Sequence, residues 1–250
     1  MTENNKPYSK LKVTLMSYTS EPLKVIYNCF MNMHNEIPSD LKDVRVSDKD
    51  IVDFMEMFCT QPHQTCFEFV NTVWKIEGAS RALQQQLTRT RDAAYSIQSL
   101  RIVKLEDFAD KGNYTKSSKI LNNPKAEKLY DETMQFIQQR YRELISMGCP
   151  TEDARGILPL NIHSPITMAI NLRHLYHMLE LRFCNNTQEE YREIAKQMKE
   201  EVANKMHPLL AKPMQPICFK TKQCPSPFPC DKYTGFERIA KMDISKWLKG

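Results

Sequence analysis

Arg89-Thr90-Arg91-Asp92-Ala93-Ala94-Tyr95-Ser96-Ile97-Gln98-Ser99-Leu100-Arg101 sets three arginines and several hydroxyls within one short stretch. A guanidinium fork binds phosphate or carboxylate through two parallel hydrogen bonds and stays charged at any working pH. Taken alone, the stretch reads first as a solvated basic helix end favoured by the helix dipole. Its flanks place it. Upstream, residues 65–77 have a β pattern with Val70, Thr72, Trp74 and Ile76 on one face, and Gly78 breaks into a helix over 79–91. Downstream, the pattern predicts a strand over 100–106.

Further out, residues 10–16 predict a first strand. A helix follows Pro22, and residues 34–46 form a polar connection. Ser47 and Asp50 open a capping box ahead of Ile51, Phe54, Met55 and Phe58. Residues 110–123 read as a Lys- and Asn-rich mobile loop. Pro124 then starts a long amphipathic helix that Gly148 stops. A short helix begins at Thr151. Pro165 predicts a helix through Arg182, and Thr187 with Glu190 a capping box for a helix to Met206. From Pro208 the chain reads as irregular until a short helix over 236–248. This order gives an α/β (mixed α+β) class, without a clean parallel βαβ series.

The chain has 250 residues, 41% hydrophobic and 26% charged, an ordinary globular composition. No uncharged apolar run reaches the roughly 18–20 residues that span a bilayer. The polar start, Met1-Thr2-Glu3-Asn4-Asn5-Lys6, carries no secretory signal, so a cytoplasmic protein is expected. With a net charge of +5 the chain suits small anions at least as well as nucleic acid, and no nucleic-acid or membrane partner is expected. The 6 glycines form neither a dinucleotide fingerprint nor a P-loop, which leaves phosphate binding to arginine and lysine.

Further candidates sit elsewhere. Asn171, His174, Met178 and Arg182 recur at helical spacing, and Arg173 with His177 forms a neighbouring stripe. These histidines read equally as packed or solvated residues. His63-Gln64-Thr65-Cys66-Phe67-Glu68 lies at a predicted helix-to-strand junction. Cys66 has a histidine three residues away and no other mark of an activated thiol. No histidine or cysteine spacing matches a paired zinc signature. Cys218, Cys224 and Cys230 read as reduced thiols on an irregular tail, and no metal site is expected.

Four ordered blocks resemble flavin-dependent thymidylate synthase (ThyX). Arg89-Thr90-Arg91, seven residues, then Ser99-Leu100-Arg101 resembles the R-H-R-x7-S-x-R signature. Ile76-Glu77-Gly78-Ala79-Ser80-Arg81-Ala82 resembles I-E-G-V-S-R-A. His63-x-Thr65-x-x-Glu68 resembles H-x-[ST]-x-x-E-H, with Phe69 in place of the last histidine. Arg155 to Leu160, Asn171-Leu172-Arg173 and Leu181-Arg182 resemble the A-R-x-x-L-P, N-x-R and L-x-L-R elements. The cysteine-bearing tail is similar to that of some members.

The resemblance implies a ThyX-like fold, with a central, mostly antiparallel sheet flanked by helices. It covers about residues 10–215, which gives a catalytic domain over 1–215 and a Cys/Pro-rich extension over 216–250. The implied reaction is reductive methylation of dUMP to dTMP, with FAD as cofactor and NADPH and methylenetetrahydrofolate as co-substrates, in a homotetramer with shared active sites. It implies that Gln86, Arg89, Ser99, Arg101, Arg155 and Arg182 contact the nucleotide, with Ser99 and Arg182 catalytic. His63, Thr65, Glu68, Arg89, Thr90, Arg91, Asn171, Arg173 and His177 would line the flavin site. Thr90, Ile97, Ile102 and His177 depart from the family pattern. Two alternatives stand beside this reading: the same chemistry on another nucleotide (methylation of UMP, or hydroxymethylation of a deoxynucleotide), and a catalytically silent nucleotide- or RNA-binding relative.

Overall fold

The computed structural model describes residues 7–33, 40–44, 46–59, 64–226, 230 and, as backbone alone, 237–238. In chain order the elements are β1 (Lys12–Tyr18), α1 (Pro22–Met31), α2 (Asp48–Phe58), β2 (Asn71–Glu77), α3 (Arg81–Leu87), β3 (Ala93–Ile97) and α4 (Ser118–Leu121). There follow α5 (Pro124–Ser146), α6 (Thr151–Ala154), β4 (Ile166–Asn171), α7 (Leu172–Arg182), α8 (Glu189–Lys205), α9 (Pro208–Ala211), α10 (Ile217–Thr221), β5 (Gln223–Cys224) and β6 (Glu237–Arg238). The class is mixed α+β, as expected. None of the described helices is long and apolar enough to cross a membrane. The chain divides into two compact units: residues 1–18 with 71–170, and residues 19–70 with 171–250.

The first unit is built on a four-stranded sheet in the order β1-β2-β4-β3, with β1–β2 and β3–β4 antiparallel. Alternation along β2 buries Thr72, Trp74 and Ile76 on one face. The Trp74 indole N–H donates to Thr72 Oγ1 at 2.8 Å, and the Thr72 hydroxyl donates to the Ile170 carbonyl at 2.6 Å, so no polar atom of this pair is stranded in the core. The register of β1 on β2 slips between Leu15 and Ser17. Gly78 ends β2 at φ 69°, and a Cβ there would stand 2.1 Å from the Lys10 carbonyl oxygen, so only glycine fits.

Asn123 caps α5, with Pro124 at its first turn. At its other end the Cys149 N–H bonds the Leu144 carbonyl and the Gly148 N–H that of Ile145, a Schellman close with Gly148 at φ 85°. Met134 of this helix joins Leu100, Phe108, Ala109 and Ile162 in a second core. The buried Gln138 accepts from the Ala109 and Asp110 N–H groups.

The second unit packs its helices on an aromatic run. Phe54 stacks on Phe58 at 5.2 Å, Phe58 meets Phe67 at 5.3 Å, and Phe67 meets Tyr176 edge-on at 5.1 Å. The Tyr176 hydroxyl donates to the Leu210 carbonyl at 2.8 Å, tying α7 to α9.

Several expectations are corrected. Residues 65–69 form a 3-10 turn, so the strand begins at Asn71. The helix expected over 79–91 spans only α3, with the Ser80 hydroxyl accepting from the Leu83 N–H as its cap. No strand covers 100–106. The Ile102 and Val103 N–H groups turn back to the Ser99 carbonyl, and the strand lies at 93–97. Pro165 does not start a helix: Ile166, Met168 and Ile170 alternate inward as β4, and the helix begins at Leu172. The cap of α8 is Gln188, while the Thr187 hydroxyl donates to the Leu181 carbonyl. The loop at 110–123 contains α4. Of the helix expected over 236–248, the described part, Glu237–Arg238, is a short strand parallel to β5, and the rest lies outside the described residues.

Candidate active site

The expected site residues fall into two sets, one in each unit. In the first unit, α3 ends at Leu87 and the chain turns through Arg89-Thr90-Arg91 into β3. The Tyr95 hydroxyl stands 2.8 Å from the Leu87 carbonyl and 3.0 Å from that of Thr90, which pins the backbone of this turn. The side chains of Gln86, Arg89 and Arg91 project outward, exposed. Among the described residues neither Arg89 nor Arg91 makes an ion pair, so two guanidinium groups stand uncommitted on a fixed backbone.

Beyond β3, the Ser99 hydroxyl accepts from the Arg101 N–H at 3.3 Å, and Arg101 Nη2 stands 2.9 Å from Glu152 Oε2. Arg155 Nε donates to the Glu152 carbonyl at 3.0 Å. The first turn of α6 thus brings Arg101 and Arg155 together. A third guanidinium belongs to the same neighbourhood. Burial, and next the charge of Arg155, pull the Arg81 pKa below its usual value. Arg81 Nη1 and Gln84 Oε1 are buried with no hydrogen-bond partner among the described residues. A buried donor left unpaired costs about 1–3 kcal/mol, so Arg81 Nη1 is suited to an anion from outside, while the Gln84 oxygen calls for a donor.

Sequence reasoning did not single out Arg81, Gln84 and Glu152. Arg81 belongs to the Ile76-to-Ala82 motif, but its burial depends on the fold. Glu152 looked like a first-turn helix acid and nothing more.

In the second unit, Thr65 and Glu68 sit on the 3-10 turn. Arg173 Nη1 pairs with Glu68 Oε1 and stands 3.5 Å from Thr65 Oγ1. The structure therefore joins three residues that are far apart in sequence. Asn171 lies just ahead of α7, and its Oδ1 accepts from the His174 N–H at 2.9 Å, which leaves its Nδ2 free to donate. His177 is exposed one turn beyond Arg173. Met178 is buried, so the stripe from Asn171 to Arg182 is not an open ligand face.

Arg182 ends α7 with its guanidinium 4.6 Å from the centre of the Tyr191 ring. Its Nε is buried without a hydrogen-bond partner among the described residues. Burial pushes the Cys66 thiol up, away from the thiolate a nucleophile needs. His63 lies outside the described residues. A cavity of about 350 Å³ in the first unit, flanked by Lys10, Gly78 and His163, contains none of the expected site residues.

Both sets are rich in guanidinium donors and hold no activated thiol. Such chemistry binds phosphates and polarises carbonyls. Residues 14–209 match the family model described as "Thymidylate synthase complementing protein". The flavin-dependent thymidylate synthase of Thermococcus onnurineus is 30% identical over 220 residues, covering 86% of this chain and 89% of that protein. That of Clostridium tetani is 30% identical over 244 residues, covering 92% and 96%. Among solved structures, ThyX from Helicobacter pylori with FAD and dUMP superposes with a TM-score of 0.65 at 18% identity, covering 81% of this chain and 99% of that one. A UMP/dUMP methylase PolB from Streptomyces cacaoi bound with 5-Br dUMP gives 0.67 at 18% identity, covering 81% and 94%. These two likenesses bear on the fold, and both support the ThyX-like architecture.

Proposed function

The chain belongs to the flavin-dependent thymidylate synthase family, and we propose that it methylates dUMP to dTMP, taking the carbon from methylenetetrahydrofolate and the electrons from NADPH. The observation that carries this reading is the set of uncommitted guanidinium donors: Arg89 and Arg91 without ion pairs, and Arg81 and Arg182 each with a buried nitrogen that has no hydrogen-bond partner among the described residues. A nucleotide monophosphate and a dinucleotide flavin both need such donors in a chain without glycine-rich phosphate loops. The donor set therefore fits FAD, which when bound supplies hydride transfer.

In this reading Gln86, Arg89, Ser99, Arg101, Arg155 and Arg182 hold the nucleotide. Ser99 is oriented by the Arg101 N–H and donates its hydroxyl proton to the bound nucleotide. Arg155 and Arg182 neutralise phosphate or draw electron density from the ring. Arg89, Thr90 and Arg91 serve the flavin from their pinned turn. Thr65, Glu68 and Arg173 serve it as a linked trio, the Glu68 carboxylate fixing the Arg173 fork. Asn171 serves it with its free Nδ2, and His63 and His177 with ring nitrogens. The catalytic domain runs over 1–215 with 216–250 as an extension, the protein is a homotetramer with shared active sites, and it works in the cytoplasm.

A second reading changes the nucleotide. Ile97 is half-buried and Ile102 is 80% exposed, and neither apolar side chain can hydrogen-bond a base or a ribose. A lost hydrogen-bonding partner alters which base or ribose is accepted. The test is anaerobic: protein loaded with FAD is reduced by NADPH, then mixed with dUMP and methylenetetrahydrofolate. Flavin reoxidation with dTMP formed supports the reading. Flavin that stays reduced with dUMP but reoxidises with UMP, with a product heavier by a methyl or hydroxymethyl group, moves the assignment to the second reading. Flavin inert to every pyrimidine nucleotide refutes both.

A further inference from the structure

Arg182 stands half-buried in the last turn of α7, and no carboxylate among the described residues pairs with it. Arg101 differs, because Glu152 already occupies it. What holds Arg182 is a ring. Its guanidinium carbon lies 4.6 Å from the centre of the Tyr191 side chain, which sits in the first turn of α8 with no solvent exposure. A guanidinium over an aromatic face is attracted by the ring quadrupole. The stack takes up one face of the cation and leaves its in-plane N–H groups to donate, whereas a carboxylate would occupy the donors themselves. Among the described residues the Arg182 nitrogens make no hydrogen bond, and Nε is buried in that state. We propose, on the reading that Arg182 contacts the nucleotide, that Tyr191 is a positioning residue of that site, its buried ring holding the Arg182 guanidinium in place with the donor edge left for substrate.

The connection between the two helices makes the ring a fixed platform. The Thr187 hydroxyl donates to the Leu181 carbonyl at 3.0 Å, one residue before Arg182. Arg192 Nη1, from the residue after Tyr191, donates to the Asn185 carbonyl at 2.9 Å and also to that of Thr187. The Tyr191 N–H closes the first turn of α8 on the Gln188 carbonyl at 3.0 Å. Further along the helix Ile194, Ala195 and Met198 are fully buried and fix its rotation. The backbone under Tyr191 is thus tied to the backbone under Arg182 within one unit.

A long side chain left free among its rotamers must be ordered when a ligand arrives, which weakens binding roughly 2- to 12-fold. The stack on Tyr191 orders Arg182 before substrate comes. It does so without a counter-ion that the nucleotide would have to displace.

The test is a double-mutant cycle read as the Kd for dUMP of the full chain loaded with FAD. R182A should raise the Kd, and Y191L should raise it roughly 2- to 12-fold. Adding Y191L to R182A should change it by less than about twofold, because a ring with no arginine above it has nothing to position. Y191F keeps the aromatic face and should restore binding to within about twofold of the wild type. The same factor for Y191L with and without Arg182 makes Tyr191 a packing residue and overturns the proposal while leaving Arg182 at the nucleotide. So does a folded Y191L with unchanged Kd, or a Y191F that loses as much as Y191L. An unchanged Kd in folded R182A has a different signature: it removes Arg182 from the nucleotide site, and the role of Tyr191 there goes with it. Should Y191L not fold, a phenylalanine trifluorinated around its ring edge and placed at position 191 decides. It keeps the shape of the ring and strips the negative charge from its face. Its Kd should exceed that of Y191F by about twofold or more, and an equal Kd overturns the proposal.

Discussion

Arg81→Met offers a test with two readouts of opposite sign. Methionine keeps the apolar stem of Arg81 and deletes the guanidinium. That guanidinium feels the charge of Arg155, and its Nη1 is buried with no hydrogen-bond partner among the described residues. Removing a buried donor that lacks a partner recovers its desolvation cost, about 1 kcal/mol at the low end of the usual range. Loss of the repulsion from Arg155 adds to this. For a chain of this size the melting temperature should rise by about 2–4 °C. Nucleotide binding should move the other way. A charge-assisted hydrogen bond to phosphate contributes about 1.5–3 kcal/mol, so the Kd for dUMP should rise roughly 10- to 150-fold. Scanning calorimetry of the ligand-free protein reads the first change and isothermal titration the second. A variant that melts lower and binds dUMP unchanged would refute the reasoning, because Arg81 would then be a packing residue satisfied within its own fold.

Other changes have equally definite outcomes. Arg182→Ala should weaken dUMP binding by about 1.5–3 kcal/mol in isothermal titration, and unchanged affinity in a folded variant would remove Arg182 from the nucleotide site. Gly78→Ala should lower stability by at least about 2 kcal/mol in urea unfolding, since the new Cβ would meet the Lys10 carbonyl at 2.1 Å on a backbone with φ 69°; a loss within about 0.5 kcal/mol would mean the turn can relax. Burial, with Lys10 adding to it, lowers the His163 pKa to about 4, whereas the unfolded chain titrates near 6.5. The unfolded state then binds the extra proton first, so this contribution is whole above pH 6.5 and is lost as pH falls toward 4, on the order of 3 kcal/mol. His163→Gln should flatten that part of the urea-midpoint profile, and an unchanged slope would assign it to other groups.

Several signals confined to one helix were legible in the sequence. Ser47 as a cap, Pro124 as a helix start and Gly148 as its stop each act through their own backbone neighbours, and all three hold. The strands were harder. β4 is six residues of Ile-Thr-Met-Ala-Ile-Asn behind a proline, which a helical and an extended reading fit equally until a partner strand is present. β3 alternates only between half-buried and exposed positions, so its hydrophobic signal is weak. The arginine turn was visible as composition, but its rigidity comes from Tyr95 reaching back to two carbonyls, a contact no spacing announces. The linkage of Arg173 to Glu68 and Thr65 spans more than a hundred residues and exists only in three dimensions. The same holds for Asn185, whose side-chain amide meets the Cys230 sulfur 45 residues further along the chain.

In the proposed reading, with Arg101 among the nucleotide contacts, Glu152 would give nucleotide capture the character of an ion exchange. Its carboxylate already occupies Arg101, so a substrate phosphate taken by that arginine must first evict a resident anion. Both side chains are about half exposed, and such a pair is worth about 0–1 kcal/mol. The competition therefore raises the dissociation constant by no more than roughly fivefold. The same carboxylate stands ready to reclaim Arg101 once chemistry is over. Because dTMP carries the same phosphate as dUMP, this returning counter-ion favours release of a product that would otherwise be held as tightly as the substrate, and it does so without discriminating between them.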